Sequence, residues 1–200
     1  MIEKFIGNKI EVKKHECNNP NCKCNGSCGD KCKCKNIPKD DEIIWARVSE
    51  DVKIPTKTDE NAGYDVYAYF EDDLYVIPPH TTRMLPTGLF SAFDNQWVAV
   101  LHERGSNGSK GIAQRCGVID ASYRGEWMIP LTNTNDKAVI IAKEGADIPQ
   151  GDYIIYPYSK AVCQVLMLTV PKFTHREISV EELQAIPSER GNGKLGSSGK

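Results

Sequence analysis

One short stretch concentrates residue types that can do chemistry. Gly117-Val118-Ile119-Asp120-Ala121-Ser122-Tyr123-Arg124-Gly125-Glu126 carries an acid, an aromatic ring, an arginine and a closing glycine between two apolar-leaning segments. That order reads as a β-hairpin whose tip carries function. The plain alternative is structural: Asp120 caps a turn, Tyr123 packs, and Gly125 supplies a positive φ. A second stretch, Glu103-Arg104-Gly105-Ser106-Asn107-Gly108-Ser109-Lys110-Gly111-Ile112, is rich in small residues. Small residues let backbone N–H groups approach phosphate oxygens, while Ser106 adds a hydroxyl and Arg104 a guanidinium. Alone, such a Gly/Ser/Asn segment is usually only a loop.

A third cluster is made of thiols. Six of the eight cysteines fall between Cys17 and Cys34, and only Cys116 and Cys163 follow. The spacing is Cys17, four residues, Cys22-Lys23-Cys24, three residues, Cys28, three residues, Cys32-Lys33-Cys34. In a reducing compartment this reads as a metal site before a disulfide framework. Tetrahedral Zn²⁺ takes four ligands and suits thiolates, so Cys22, Cys24, Cys32 and Cys34 can close one structural site. Alternatively Cys17, Cys28 or His15 enters the shell, or bridging thiolates hold several ions as in metallothioneins. Lysines 13, 14, 23, 31, 33 and 35 would offset thiolate charge. They would equally serve as a weak phosphate patch, which leaves a nucleic-acid or protein partner of this module open.

Elements must position these groups, and the bulk numbers bound what they are. Two hundred residues with a formal charge of −2 suit one domain with an appendage, with no global pull toward nucleic acid or an anionic membrane. No apolar run approaches the roughly 20 residues of a membrane span. Charges interrupt the opening Met1-Ile2-Glu3-Lys4-Phe5-Ile6-Gly7-Asn8-Lys9, so a cytoplasmic location is expected. Residues 13–42 are almost free of apolar side chains and cannot build a core, so the first boundary is placed at residue 42. From Ile43 onward, short β-branched or aromatic runs alternate with turn residues. The runs are 43–48, 74–77, 84–91, 97–101, 127–132, 138–142, 153–156 and 162–170. Their density predicts an all-β sandwich or barrel. Ser179-Val180-Glu181-Glu182 has the capping-box pattern and predicts one helix through Ala185, with a further helical turn within Ser106–Ile112. The expected division is 1–42, 43–187 and a glycine-rich arm from 188 to 200.

Five motifs in series carry a family resemblance. Ala62-Gly63-Tyr64-Asp65-Val66-Tyr67-Ala68 resembles the first signature of the trimeric dUTPases. Glu103 to Ile112 resembles the second, the Asp120 stretch the third, and Ala161-Val162-Cys163-Gln164-Val165 the fourth. Arg190-Gly191-Asn192-Gly193-Lys194-Leu195-Gly196-Ser197-Ser198-Gly199 resembles the fifth. The likeness covers about residues 43–200, and a typical dUTPase lacks the cysteine-rich segment. It implies a jelly-roll-like β domain that converts dUTP to dUMP and pyrophosphate with Mg²⁺, as a homotrimer with sites at subunit boundaries.

Roles carried over by that resemblance are these. Asp120 deprotonates the attacking water. Tyr123 packs beneath the deoxyribose, and backbone groups around Cys116 to Ile119, Gly117 included, read the uracil edge. Arg104, Gly105, Ser106 and Asn107 hold the phosphates, Gln164 hydrogen-bonds the nucleotide, and Asp65 lies near the metal-bound waters or organises the site. Arg190, Gly193, Leu195, Gly196, Ser197 and Ser198 close over the nucleotide. Three positions depart from the family pattern. Gly105 stands where serine is usual, Ala161 where a basic residue is frequent (leaving that contact to Lys160 or to nothing), and Leu195 where phenylalanine stacks on the base. A dCTP deaminase of the same fold and a phage-type dUTPase that binds a repressor are the alternatives.

Overall fold

A computed structural model of the chain describes residues 37–189, 191 and 193. Two compact units emerge, one ending at Val170 and the other starting at Pro171. The first unit is built almost wholly of short strands. In chain order these are β1 (Ile44–Arg47), β2 (Tyr64–Val66), β3 (Leu74–Ile77), β4 (Thr82–Pro86), β5 (Leu89–Ala92) and β6 (Trp97–His102). A single helical turn, α1 (Gly105–Gly108), comes next. Then follow β7 (Ile112–Gln114), β8 (Val118–Ile119), β9 (Met128–Asn133), β10 (Val139–Ala142), β11 (Ile154–Pro157) and β12 (Cys163–Thr169). The second unit holds α2 (Val180–Gln184). The expected all-β, jelly-roll-like architecture is the one found.

The strands form four small sheets, ordered β1-β5, β11-β10-β3, β2-β12-β6-β8 and β4-β9-β7. Every pairing is antiparallel except β10 with β11. One contiguous core draws on all four sheets, with Val66, Leu89, Leu131, Val139 and Val165 buried within it. Trp127 is fully buried and meets Trp45 edge-on at a centroid distance of 4.9 Å. Its indole N–H, which needs a partner once out of water, donates to Ser91 Oγ at 3.0 Å.

Alternation along β6 and β12 decides what the site can use. Ala99 and Leu101 of β6, with Cys163 and Val165 of β12, point into the core. Period-2 geometry therefore sends His102 and Gln164 to the outer face.

Two sequence expectations need correction. Residues 84–91 do not form one strand. The chain breaks at Thr87-Gly88, and β4 and β5 enter different sheets. Gly88 takes φ 65, where a Cβ would lie 2.7 Å from a Val52 methyl. The Glu126 carboxylate accepts both backbone N–H groups of the break, from Thr87 at 3.1 Å and from Gly88 at 2.7 Å. An apolar run shows no such break, because the cause lies 38 residues away.

The Asp120 stretch is likewise no simple hairpin tip. β8 pairs with β6, whereas β9 pairs with β4 and β7. The true hairpin is β7 with β9, and the intervening loop lends two residues to another sheet. Gly125 does not adopt a positive φ. Its small size instead lets the Tyr123 ring lie over it, since a Cβ would sit 2.4 Å from the Tyr123 hydroxyl and push that ring aside.

In the second unit, the capping box at Ser179 is formed. Glu182 N donates to Ser179 Oγ at 3.1 Å and Ser179 N donates to Glu182 Oε2 at 2.9 Å.

Candidate functional site

The site grows from one rung of the sheet that contains β12. Gln164 lies directly opposite Asp65 of β2 on one side and opposite His102 of β6 on the other. Residues opposite one another share a face, so all three side chains rise from the outer surface of the sheet. Immediately after β6 the chain leaves the ladder at Arg104, which is the N-cap of α1. Arg104 folds back over the rung. Its Nε stands 3.3 Å from Asp65 Oδ1, and its Nη1 donates to Ala161 O at 3.1 Å. Gln164 Nε2 donates to Glu103 O at 3.3 Å, which fixes the amide beside the same turn.

These residues line an open cleft of about 590 Å³ together with Thr56, Lys57, Thr58, Asn61, Ala62, Gly63 and Leu166. Two cations, Lys57 and Arg104, face one carboxylate there, so the cleft favours an anion. Lys57 and its threonine neighbours were not singled out in the sequence, although the Thr-Lys-Thr run before the first signature was a usable signal. Lys57, rather than Lys160, is the lysine that lines the cleft.

Tight approach explains the glycine at 63. A Cβ there would meet Gln164 Oε1 at 3.0 Å. Gly105 is different, since a Cβ would meet nothing within 4 Å. The serine usual at this position is therefore absent for no steric reason.

Asn107 faces inward: its side chain is 1% exposed and donates from Nδ2 to Val162 O at 2.6 Å, so it offers a ligand only its backbone. Ser106 remains partly tied to it, with Oγ 3.4 Å from Asn107 Oδ1. Beneath the rung, burial pushes the Cys163 thiol up to about 12; the Asp65 charge adds to the rise and Arg104 opposes it. That thiol is neutral near pH 7 and is no nucleophile. Burial likewise raises the Tyr156 phenol, with hydrogen bonds from Asn107 and Arg104 pulling the other way.

The Asp120 stretch is built separately. Gly117 adopts φ 136 and its carbonyl accepts from Leu101 N at 2.7 Å, pinning the loop to β6. Cys116 takes φ 56, and its carbonyl accepts from Gln114 Nε2 at 2.7 Å. Ile119 is buried, so it serves the core with its side chain and offers a ligand only backbone. Asp120 follows, exposed, with its carboxylate bonded to no described residue. Its backbone carbonyl accepts from Tyr123 N at 3.0 Å, closing a turn. Tyr123 is 43% exposed, with its hydroxyl on Glu126 O at 2.9 Å, so it does not pack in the core. Arg124 donates to Ala121 O, Tyr123 O and Ser91 O, which makes it a loop brace.

The Asp120 stretch and the cleft stand apart within one chain. Ile119 is opposite Ala99, which is opposite Met167, three residues along β12 from Gln164. Strand spacings near 4.8 Å and a rise near 3.3 Å per residue put Ile119 about 14 Å from Gln164, with Asp120 beyond it. Of the expected tail residues only Gly193 is described; Arg190, Leu195, Gly196, Ser197 and Ser198 lie outside the described residues, as do Cys17, Cys22, Cys24, Cys28, Cys32 and Cys34.

Arginine, carboxylate and glutamine thus meet at one anion-favouring cleft of an all-β protein. The sequence matches the dUTPase family over residues 50–199, so the chain belongs to that family and to its enzyme class, the dUTP nucleotidohydrolases. Among its relatives is the deoxyuridine 5'-triphosphate nucleotidohydrolase of Photorhabdus laumondii, 30% identical over 166 residues, spanning 80% of this chain and 96% of the relative. The enzyme of that name from Leptospira interrogans is 36% identical over 104 residues, spanning 50% of this chain and 71% of the relative. The fold is that of the Staphylococcus bacteriophage 80alpha dUTPase solved with dUPNHPP. The TM-score is 0.61 at 21% identity, over 80% of this chain and 99% of that one. Another similar structure, a dUTPase from phage phi11 of S. aureus, was described with a structural Mg(II) ion; the TM-score is 0.54 at 20% identity, over 68% of this chain and 96% of that one.

Proposed function

We propose that this chain hydrolyses dUTP to dUMP and pyrophosphate, with Arg104, the α1 turn and Gln164 holding the phosphates and Asp120 acting as general base. The observation that carries this is the Asp65–Gln164 rung with Arg104 folded over it, lining an anion-favouring cleft. Asp120 takes a proton from water as the water oxygen bonds to the α-phosphorus. The bond from that phosphorus to the α–β bridging oxygen breaks, and pyrophosphate leaves with the electron pair. Backbone groups of Gly117 to Ile119 read the uracil edge, and Tyr123 lies beneath the sugar.

Mg²⁺ fits this donor set as an ion carried by the triphosphate. Among the described residues no group of three or more His, Cys, Asp or Glu could hold a metal alone, and Asp65 would reach the ion through water. Bound there, the ion would neutralise phosphate charge. The 14 Å gap across the sheet supports a homotrimer in which one chain's Asp120 loop completes another chain's cleft, with the tail from Arg190 closing over it. A structural zinc module at Cys17 to Cys34 belongs to the same reading, on the strength of six thiols within eighteen residues.

Incubation with dUTP, dCTP and dTTP tests the assignment. Pyrophosphate from dUTP alone is the expected result. Ammonia from dCTP would make the chain a deaminase, and no turnover of any nucleotide would make it a binding protein.

A further inference from the structure

Three donors, two of them buried, converge beneath the cleft on two consecutive carbonyls. The Tyr156 hydroxyl donates to Ala161 O at 2.6 Å, and Arg104 Nη1 donates to the same oxygen at 3.1 Å. Asn107 Nδ2 donates to the next carbonyl, Val162 O, at 2.6 Å. Tyr156 is 3% exposed and Asn107 1%. A polar core cluster of this kind is costly unless satisfied, and here every member has a partner.

The cluster joins three separate pieces of the site. Tyr156 comes from β11, Asn107 from the α1 turn, and Ala161-Val162 from the segment that runs into β12 two residues before Gln164. None of these side chains touches the cleft. What they hold does, since Arg104 lines it and the α1 turn begins at its rim.

We propose that Tyr156 and Asn107 are positioning residues for nucleotide binding: by fixing the carbonyls of Ala161 and Val162 from below, they hold the Arg104 guanidinium and the α1 turn in the geometry that receives the triphosphate. The inference rests on the reading of Arg104 as a phosphate ligand. Arg104 spends Nε on Asp65 and one Nη1 proton on Ala161 O, which leaves Nη2 and the second Nη1 proton for phosphate oxygens. Without the phenol, the Ala161 peptide loses its tether to the core and Arg104 loses a fixed acceptor. The guanidinium must then be ordered when the nucleotide arrives, and the loss falls on binding.

The test is a double-mutant cycle on the full chain, with binding of the non-hydrolysable analogue dUpNHpp measured by calorimetry and dUTP turnover beside it. Tyr156→Phe keeps the ring and removes one oxygen. It is expected to weaken dUpNHpp by about threefold to tenfold, the net worth of one hydrogen bond. KM should rise in step while kcat stays within about twofold. Placed on Arg104→Ala, the same substitution should add almost nothing, because the group it positions is gone. Asn107→Leu, which keeps the volume and removes the donor, repeats the cycle should Tyr156→Phe melt too low to assay. A lowered melting temperature with unchanged dUpNHpp affinity would overturn the proposal, as would an equal loss in both backgrounds. If Arg104→Ala binds like the wild type, the phosphate role of Arg104 fails first, a result distinct from the failure of Tyr156 alone.

Discussion

Two glycines in the two site loops look alike in sequence and differ sharply in structure, so they make a matched test. Gly117 adopts φ 136, a conformation that side-chain-bearing residues rarely reach. A Cβ there would also lie 2.9 Å from the Leu101 carbonyl oxygen and 3.0 Å from Gln114 Nε2. Gly117→Ala therefore carries about 1–3 kcal/mol of backbone strain. Relief would pull the loop off β6 and stretch the 2.7 Å bond from Leu101 N to Gly117 O, about 1 kcal/mol more. For a domain of this size, each kcal/mol moves the melting point by about 2–4 °C, so the expected fall is roughly 5–15 °C. The same shift displaces the backbone assigned to the uracil edge, so KM for dUTP should rise as well. Gly105→Ala is the control, with open space at its Cβ position and no positive φ; its melting point should stay within about 2 °C. Thermal unfolding by circular dichroism reads both. A Gly117→Ala protein that melts with the wild type, or a Gly105→Ala protein that falls as far, would refute the argument from conformation and contact.

Four further expectations are open to direct measurement. Asp120→Asn should lose turnover yet keep dUpNHpp binding, because the amide fills the same space and cannot take the proton; near wild-type kcat would remove Asp120 from the base role. Deleting residues 188–200 should leave a folded protein with a drastically lower rate, and normal hydrolysis by the truncated chain would end the tail's role in closure. In native protein, iodoacetamide should spare Cys163 at neutral pH, since burial holds that thiol near 12 and the reactive thiolate forms only above it; peptide mapping that finds Cys163 alkylated without unfolding would contradict its burial. Protein purified under reducing conditions should carry at least one zinc per chain, and six freely titratable thiols without zinc would remove the metal module.

How much of this was legible beforehand depended on the range of the cause. The Ser179 capping box spans four residues and was readable, as were β3 and β10, whose apolar runs are the strands themselves. The break at Thr87-Gly88 was not, because its cause is the Glu126 carboxylate from a distant loop. β2, β7 and β8 escaped because strands of two or three residues carry too little pattern. Within the site, Asp65, Arg104 and Gln164 were named by motif, and the structure brings them together. The role of the Asn107 side chain is not legible in a Gly/Ser-rich loop, because only the fold turns it inward onto Val162 O and leaves its backbone at the turn.

The placement of Asp120 follows from the same sheet that builds the cleft. β8 pairs with the far edge of β6, and its register carries Asp120 away from the Gln164 rung rather than toward it. Rotamer changes cannot close the gap, since an aspartate oxygen reaches only about 3.5 Å from its Cα and the backbone separation is about 14 Å or more. Movement of the loop is opposed at its base, where Gly117 is locked to Leu101 and Ile119 is buried in the core. If Asp120 is the proposed base, a single chain cannot bring it to its own cleft, which supports the proposed homotrimer. The pairing pattern inside the monomer is thus the physical argument for the proposed assembly. It also predicts complementation: mixing an Asp120→Asn chain with an Arg104→Ala chain should restore activity that neither has alone, through mixed sites that receive an intact cleft from one chain and an intact base from the other. No recovery after co-refolding, with mixed oligomers demonstrated by mass spectrometry, would mean that each chain completes its own site.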